Sequence, residues 1–157
     1  MSEIAHFLAH ALALETQAGE RYGELAQHME HCGAAELAAL FGRMCDFSRM
    51  HAAEIQRIAD RHGPLPQLQS WQFEWNSPEP PEVGDQALVH PEMGVDSALA
   101  FAIANERRGW EYYNHMAITA ADPETRHLAR TFAGEEAEHV LILERWLSNF
   151  NATPDKI

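Results

Sequence analysis

The chain reads as all-α, an antiparallel four-helix bundle whose second and third helices are joined by one long crossover. Three observations predict this. Four stretches carry apolar residues at helical spacing. Turn-forming residues divide the first two stretches at Gly33 and the last two at Asp122-Pro123. Between the two pairs lies a proline-rich segment with no sustained periodicity. Two antiparallel hairpins close into such a bundle only if one connection runs its length. The expected helices are about 2–31, 34–62, 96–121 and 123–148, with the crossover at 63–95, all in one domain of 157 residues.

Ser2 can cap the first helix, whose apolar positions include Ile4, Leu8, Ala11, Leu12, Ala18, Tyr22, Leu25 and Met29. Gly33 suits the left-handed position that ends it. The second helix starts around Ala34 and runs through Leu37, Leu40, Phe41, Met44, Phe47, His51, Ile55 and Ile58. Gly63-Pro64 stops it, because proline cannot continue the helix and restricts the residue before it. In the crossover, Trp71-Gln72-Phe73-Glu74-Trp75 alternates aromatic and polar, a pattern suited to pinning the segment against the bundle. An edge strand, a dimer contact and a substrate lid are weaker readings of it. The third helix starts near Asp96-Ser97, either of which can cap it. Asp122-Pro123-Glu124 opens the fourth: the aspartate caps, the proline takes the first helical position and the glutamate complements the helix dipole. That helix is expected to fray after Ser148.

Composition narrows the function. Hydrophobic residues make up 46%, which suits a folded chain with one core. Twenty-four acidic residues against 11 basic ones give a formal charge of −13. Such a surface repels nucleic-acid phosphates and anionic lipid, so neither nucleic acid nor membrane is an expected partner. No apolar run approaches the roughly 20 residues that span a bilayer. The start lacks a basic n-region, and Cys32 and Cys45 form no C-x-x-C pair, so a cytoplasmic protein with reduced thiols is expected.

The residues that carry chemistry come in a repeat. Ala11-Leu12-Ala13-Leu14-Glu15 matches Ala102-Ile103-Ala104-Asn105-Glu106, with Tyr22 and Tyr113 at the same distance beyond each glutamate and small residues, Ala18 and Gly109, between. Both glutamates fall on the buried stripe, where a carboxylate costs several kcal/mol unless it is paired or bound to metal. In the fourth helix Glu136 and His139 stand one turn apart on one face. Residues equidistant from a hairpin turn face each other. Glu15 and His51 are equidistant from position 33, and Glu106 and His139 from a point between 122 and 123. Glu15, His51, Glu106, Glu136 and His139 should therefore meet at one level as metal ligands. This is the logic of di-iron carboxylate bundles, and a carboxylate–imidazole donor set favours iron or manganese.

In this repeat and this Glu-x-x-His pair the chain resembles the rubrerythrin branch of the ferritin-like superfamily, across residues 4–62 and 96–148. The resemblance implies a ferritin-like fold and a non-haem iron site, di-iron or mono-iron, where reduced iron delivers electrons to peroxide or dioxygen. It implies that Glu15 and Glu106 are single-carboxylate ligands, that Glu136 bridges, that His139 caps one metal and that His51 is the matching histidine. No catalytic residue beyond these ligands is expected; Tyr22 and Tyr113 are either hydrogen-bonding neighbours of the site or plain core. Three departures stand out. Ser48 occupies the place of the family's second bridging glutamate, with Glu54 off the inward stripe. Gly109 replaces an additional carboxylate, and the rubredoxin-like iron module is absent, so electrons must come from a separate donor. A peroxide- or dioxygen-reducing enzyme of oxidative-stress defence is the leading expectation. A ferroxidase or iron-storage protein, and a degenerate bundle with a lone or structural metal, are the alternatives. A homodimer is expected. His6 and His10, spaced i, i+4, read as a solvated face.

Overall fold

The computed structural model describes residues 2–65, 89 and 92–152. Among these, the regular structure is four helices: α1 (Glu3–His31), α2 (Ala35–Asp60), α3 (Val95–Thr119) and α4 (Pro123–Ala152). The aromatic segment Trp71-Phe73-Trp75, and with it most of the crossover, lies outside the described residues. None of the four helices is long and apolar enough to cross a membrane.

The helix ends follow local chemistry. Ser2 Oγ accepts the Ala5 N–H at 3.2 Å, the expected cap of α1. After α1, Gly33 takes φ = 80°, which a side chain would resist, and lets Ala34 N–H reach back to the Met29 carbonyl at 2.8 Å. The third helix begins earlier than expected. Gly94 is its N-cap and makes no side-chain cap, while Asp96 sits inside the first turn and accepts the Ser97 N–H at 2.9 Å. An aspartate there still complements the helix dipole without capping. Asp122 does cap α4: its Oδ2 accepts from Thr125 N–H at 2.8 Å and from Thr125 Oγ–H at 2.7 Å. These two bonds hold its carboxyl below the usual range. Glu3 accepts the N–H groups of Ala121 and Asp122 at 3.1 and 2.6 Å, tying the start of α1 to the α3–α4 turn. The fourth helix continues to Ala152 rather than fraying after Ser148, because Trp146 and Leu147 pack against the core.

Helix α1 packs along α2, and α3 along α4, whereas the two hairpins meet more sparsely. The core divides in two, and each part draws on all four helices. One apolar cluster holds Phe7, Leu8, Ile55, Tyr112, Tyr113 and Phe132. The other holds Leu25, Met29, Phe41, Met44, Leu99 and Leu143. Each fully buried side chain of this size contributes about 1.5–3 kcal/mol, enough in sum to carry a polar layer between the clusters. That layer contains Glu15, Ser48, His51, Glu106 and Glu136, all buried.

One expectation is corrected here. His10 is fully buried, and its ring stacks on Tyr112 with centroids 4.8 Å apart and planes 15° apart. It packs against the first core cluster and not on a solvated face, since Tyr112 on α3 covers this side of α1. Burial, and then the neighbouring His6, push its pKa down to about 3.

Candidate metal centre

The midline layer is built by one residue pair per hairpin. On the first, Glu15 Oε1 lies 3.0 Å from His51 Nδ1. On the second, Glu106 Oε2 lies 3.5 Å from His139 Nδ1, and Glu136 Oε2 lies 4.0 Å from the same nitrogen. The register deduced from the turns therefore holds for both pairs. Glu106, Glu136 and His139 each offer one ligand atom, all within 4.8 Å of one another, the one such group among the described residues. Glu15 and His51 do not complete a group of three, because the residue that would add a carboxylate from α2 is the buried Ser48.

The two repeats brace each other crosswise. Tyr22 of α1 donates to Glu106 Oε1 of α3 at 2.5 Å, and Tyr113 of α3 donates to Glu15 Oε1 of α1 at 3.3 Å. Each tyrosine thus fixes the carboxylate of the other hairpin. Burial, then the charge of Glu15, raises the Tyr113 phenol well above its ordinary range, so it stays a donor. Gly109 lies under Glu136: a Cβ at this position would meet the Glu136 carboxyl carbon at 3.6 Å. At that distance a Cβ would make only ordinary van der Waals contact with the carboxylate.

Glu135 escaped the sequence reading. Its Oε2 lies 3.3 Å from His51 Nε2, with the side chain 33% exposed. As the second acid of Gly134-Glu135-Glu136 it looks like surface charge, and only the packing of α4 against α2 turns it toward His51. Burial raises its carboxyl above the ordinary range; Glu54 and Glu15 add to this, while His51 and His139 oppose it. Glu54 itself is exposed and does not fill the place of the α2 carboxylate. Two phenylalanines complete the walls: Phe132 meets His51 and Phe47 meets His139, each edge-on with centroids 4.5 Å apart.

The surrounding carboxylates shift both imidazoles in the same direction. Burial lowers the pKa of His51, but Glu15, then Glu135 and Glu54, outweigh it and raise the value above the ordinary one. His139 is raised in the same way, burial being outweighed chiefly by Glu106. The nearby carboxylates do not align with the ring N–H groups: both nitrogens of His51, Nδ1 of His139 and Oε2 of Glu135 are buried without a hydrogen-bond partner. The approach of Glu15 to His51 is therefore electrostatic. Buried polar atoms normally find partners, and donor atoms left open while facing carboxylates fit a metal ion. Hard oxygen and imidazole nitrogen suit iron or manganese.

A cavity of about 20 Å³ reaches this layer between α1 and α3, lined by Ala18, Arg21, Asn105 and Gly109 above Glu106 and Glu136. It has room for about one water-sized molecule.

A model of the rubrerythrin family matches residues 6–82. Among solved structures, the chain is similar to an uncharacterized conserved protein from Magnetospirillum magnetotacticum MS-1. The two share 46% identity over 98% of this chain and 97% of that one, with a TM-score of 0.80. It is also similar in fold to the bacterioferritin of Rhodobacter capsulatus, at 21% identity over 96% of this chain and 87% of that one, with a TM-score of 0.74. No curated protein matches the chain.

Proposed function

Since the chain belongs to the rubrerythrin-like branch of the ferritin-like superfamily, we propose that it is a non-haem iron oxidoreductase that reduces peroxide or dioxygen with electrons from a separate donor. The observation that carries this reading is the buried group Glu106, Glu136 and His139, with an imidazole nitrogen facing two carboxylates and hydrogen-bonded to neither. Glu15 and His51 form the second half of the holding set. Iron held there supplies the Fe(II)/Fe(III) couple that peroxide or dioxygen reduction requires.

The chain's own residues prepare that chemistry. Tyr22 orients Glu106 by donating to Oε1, which leaves Oε2 turned toward His139. Phe47 and Phe132 keep bulk water from the imidazoles, so the carboxylate charges act at low dielectric. The α1–α3 cavity admits only a small oxidant. The two halves are unequal. Glu15, Glu106 and Glu136 bring three negative charges against the four positive charges of two divalent ions, because Ser48 is neutral. The α3–α4 residues Glu106, Glu136 and His139 would hold an ion more tightly than Glu15 and His51 of the α1–α2 half.

A ferroxidase or storage role is favoured by the net charge of −13, which draws Fe(II) to the surface. The solved bacterioferritin of similar fold is described with a metal-free dinuclear site. Steady-state peroxide turnover with an added reductant separates the two readings: repeated turnover supports the oxidoreductase, and a single round of iron oxidation supports the ferroxidase. The site itself is tested by replacing Glu136 and His139 together with alanine. The variant should stay helical by circular dichroism and lose tightly bound iron and manganese by metal analysis. Full metal content in that variant would show the holding set to be wrong.

A further inference from the structure

His51 has two faces. It is 4% exposed, and its Nδ1 looks inward at Glu15 while its Nε2 looks toward the seam between α2 and α4, where Glu135 Oε2 lies 3.3 Å away. Neither nitrogen has a hydrogen-bond partner, nor does Glu135 Oε2. A neutral ring has one lone pair, which its tautomer places either at Nε2 toward the seam or at Nδ1 toward the midline. Only the inward face is used by the site described above.

The carboxylates around this ring are graded by exposure. Glu54, one turn along α2 from His51, is exposed, and its charge is felt by both His51 and Glu135. The Glu135 side chain is 33% exposed and that of Glu15 is 5% exposed. A cation approaching from solvent meets Glu54, then Glu135 with His51 Nε2, then Glu15 with His51 Nδ1. The edges of Phe47 and Phe132 line the same seam and concentrate the field of these acids. The opposite opening, between α1 and α3, has Arg21 in its wall. That guanidinium, paired with Glu20 and Glu24, sets a fixed positive charge in the wall of the opening that leads to Glu15, Glu106 and Glu136.

We propose that Glu54, Glu135 and His51 Nε2 form a capture position at the α2–α4 seam through which a divalent cation such as Fe(II) reaches the midline site. The proposal rests on the midline reading and adds a route to it. It separates the traffic: the cation comes through the acidic seam and the small neutral oxidant through the α1–α3 cavity. Glu135 serves the rate of filling rather than the final holding set.

The test is stopped-flow uptake of Co(II), followed by its visible absorption, into the full-length metal-free protein. Glu54→Gln, Glu135→Gln and the double variant are compared with Glu20→Gln, an acid on α1 away from the seam. The double variant should fill about 10-fold more slowly, with a weaker dependence of the rate on salt and an unchanged final stoichiometry. Glu54→Gln alone, at an exposed position that leaves the fold intact, should slow filling about 3-fold. Glu20→Gln should match wild type. Unchanged rates in the seam variants would overturn the proposal. So would a Glu135→Gln protein that fills at the wild-type rate but to lower occupancy, which would make Glu135 a ligand or a brace for His51. Wild type that binds no Co(II) at equilibrium would remove the midline reading and the route with it.

Discussion

Replacing Tyr22 with phenylalanine should cost the metal-free protein more than the same change at Tyr113. Both substitutions keep the ring and remove one hydroxyl donor to a buried glutamate. The two bonds differ: Tyr22 reaches Glu106 at 2.5 Å and Tyr113 reaches Glu15 at 3.3 Å. Hydrogen bonds to charged groups contribute about 1.5–3 kcal/mol when well formed, and a long one sits at or below the neutral range of about 0.5–1.5 kcal/mol. Glu106 is 6% exposed and the cavity beside it has room for about one water-sized molecule, so at most one water can replace the lost donor. For a chain of 157 residues, an unfolding entropy of about 2.1 cal/mol/K per residue converts 1 kcal/mol into about 3 °C. Tyr22→Phe should therefore lower the melting temperature of the metal-free protein by about 5–9 °C, and Tyr113→Phe by about 2–4 °C. Calorimetry at pH 7 on protein stripped with a chelator measures both. Added metal should shrink the two differences, because the carboxylates then have another partner and the ion stabilises the folded state by linkage. Equal shifts, or a larger one at Tyr113, would refute the view that Glu106 is the more firmly held carboxylate.

Two further outcomes follow from the polar layer and its neighbour. Ser48→Glu should raise metal occupancy toward two ions per chain in a titration followed by metal analysis, and strengthen the near-ultraviolet absorption of the oxidised protein; matched affinities for two ions in wild type, unaltered by the substitution, would contradict the unequal halves. His10, with its pKa pushed from 6.5 to about 3, contributes stability that is present above pH 6.5 and lost as the pH falls toward 3, since the unfolded chain takes up the proton first. His10→Phe, which keeps a ring against Tyr112, should remove about 2 kcal/mol of the loss in denaturant-measured stability between pH 7 and pH 5, and parallel pH profiles would count against a neutral buried imidazole.

Much of this architecture is legible in the sequence because helices and turns are local. Ser2, Gly33 and Asp122 act on the residues next to them, and the apolar spacing of each helix needs no partner to be read. The register of Glu15 with His51, and of Glu106 with His139, is also local in effect, since a short turn fixes which residues of a hairpin face each other. Contacts between hairpins carry no such signal. Whether an acid beside the inward stripe reaches the core depends on which helix lies across from it and at what distance. Glu54 and Glu135 are both such flanking acids, and the packing leaves Glu54 in solvent while turning Glu135 onto His51. The same cause hid the burial of His10, which Tyr112 covers from another helix. It also hid the crosswise reach of the two tyrosines, because the repeat places each beside its own glutamate in sequence and the fold hands it to the other. The consequence is chemical. Two hairpins that share their donors across the midline cannot be loosened one at a time, so a change at either tyrosine reaches both halves. The near-symmetry of the repeat then makes Ser48 and Glu135 the residues that set the halves apart. One withholds a carboxylate from the inner face of His51, and the other places one at its outer face. An ion in the α1–α2 half would therefore answer to a carboxylate set directly against its histidine from outside the midline layer, whereas Glu135 reaches His139 only through its field.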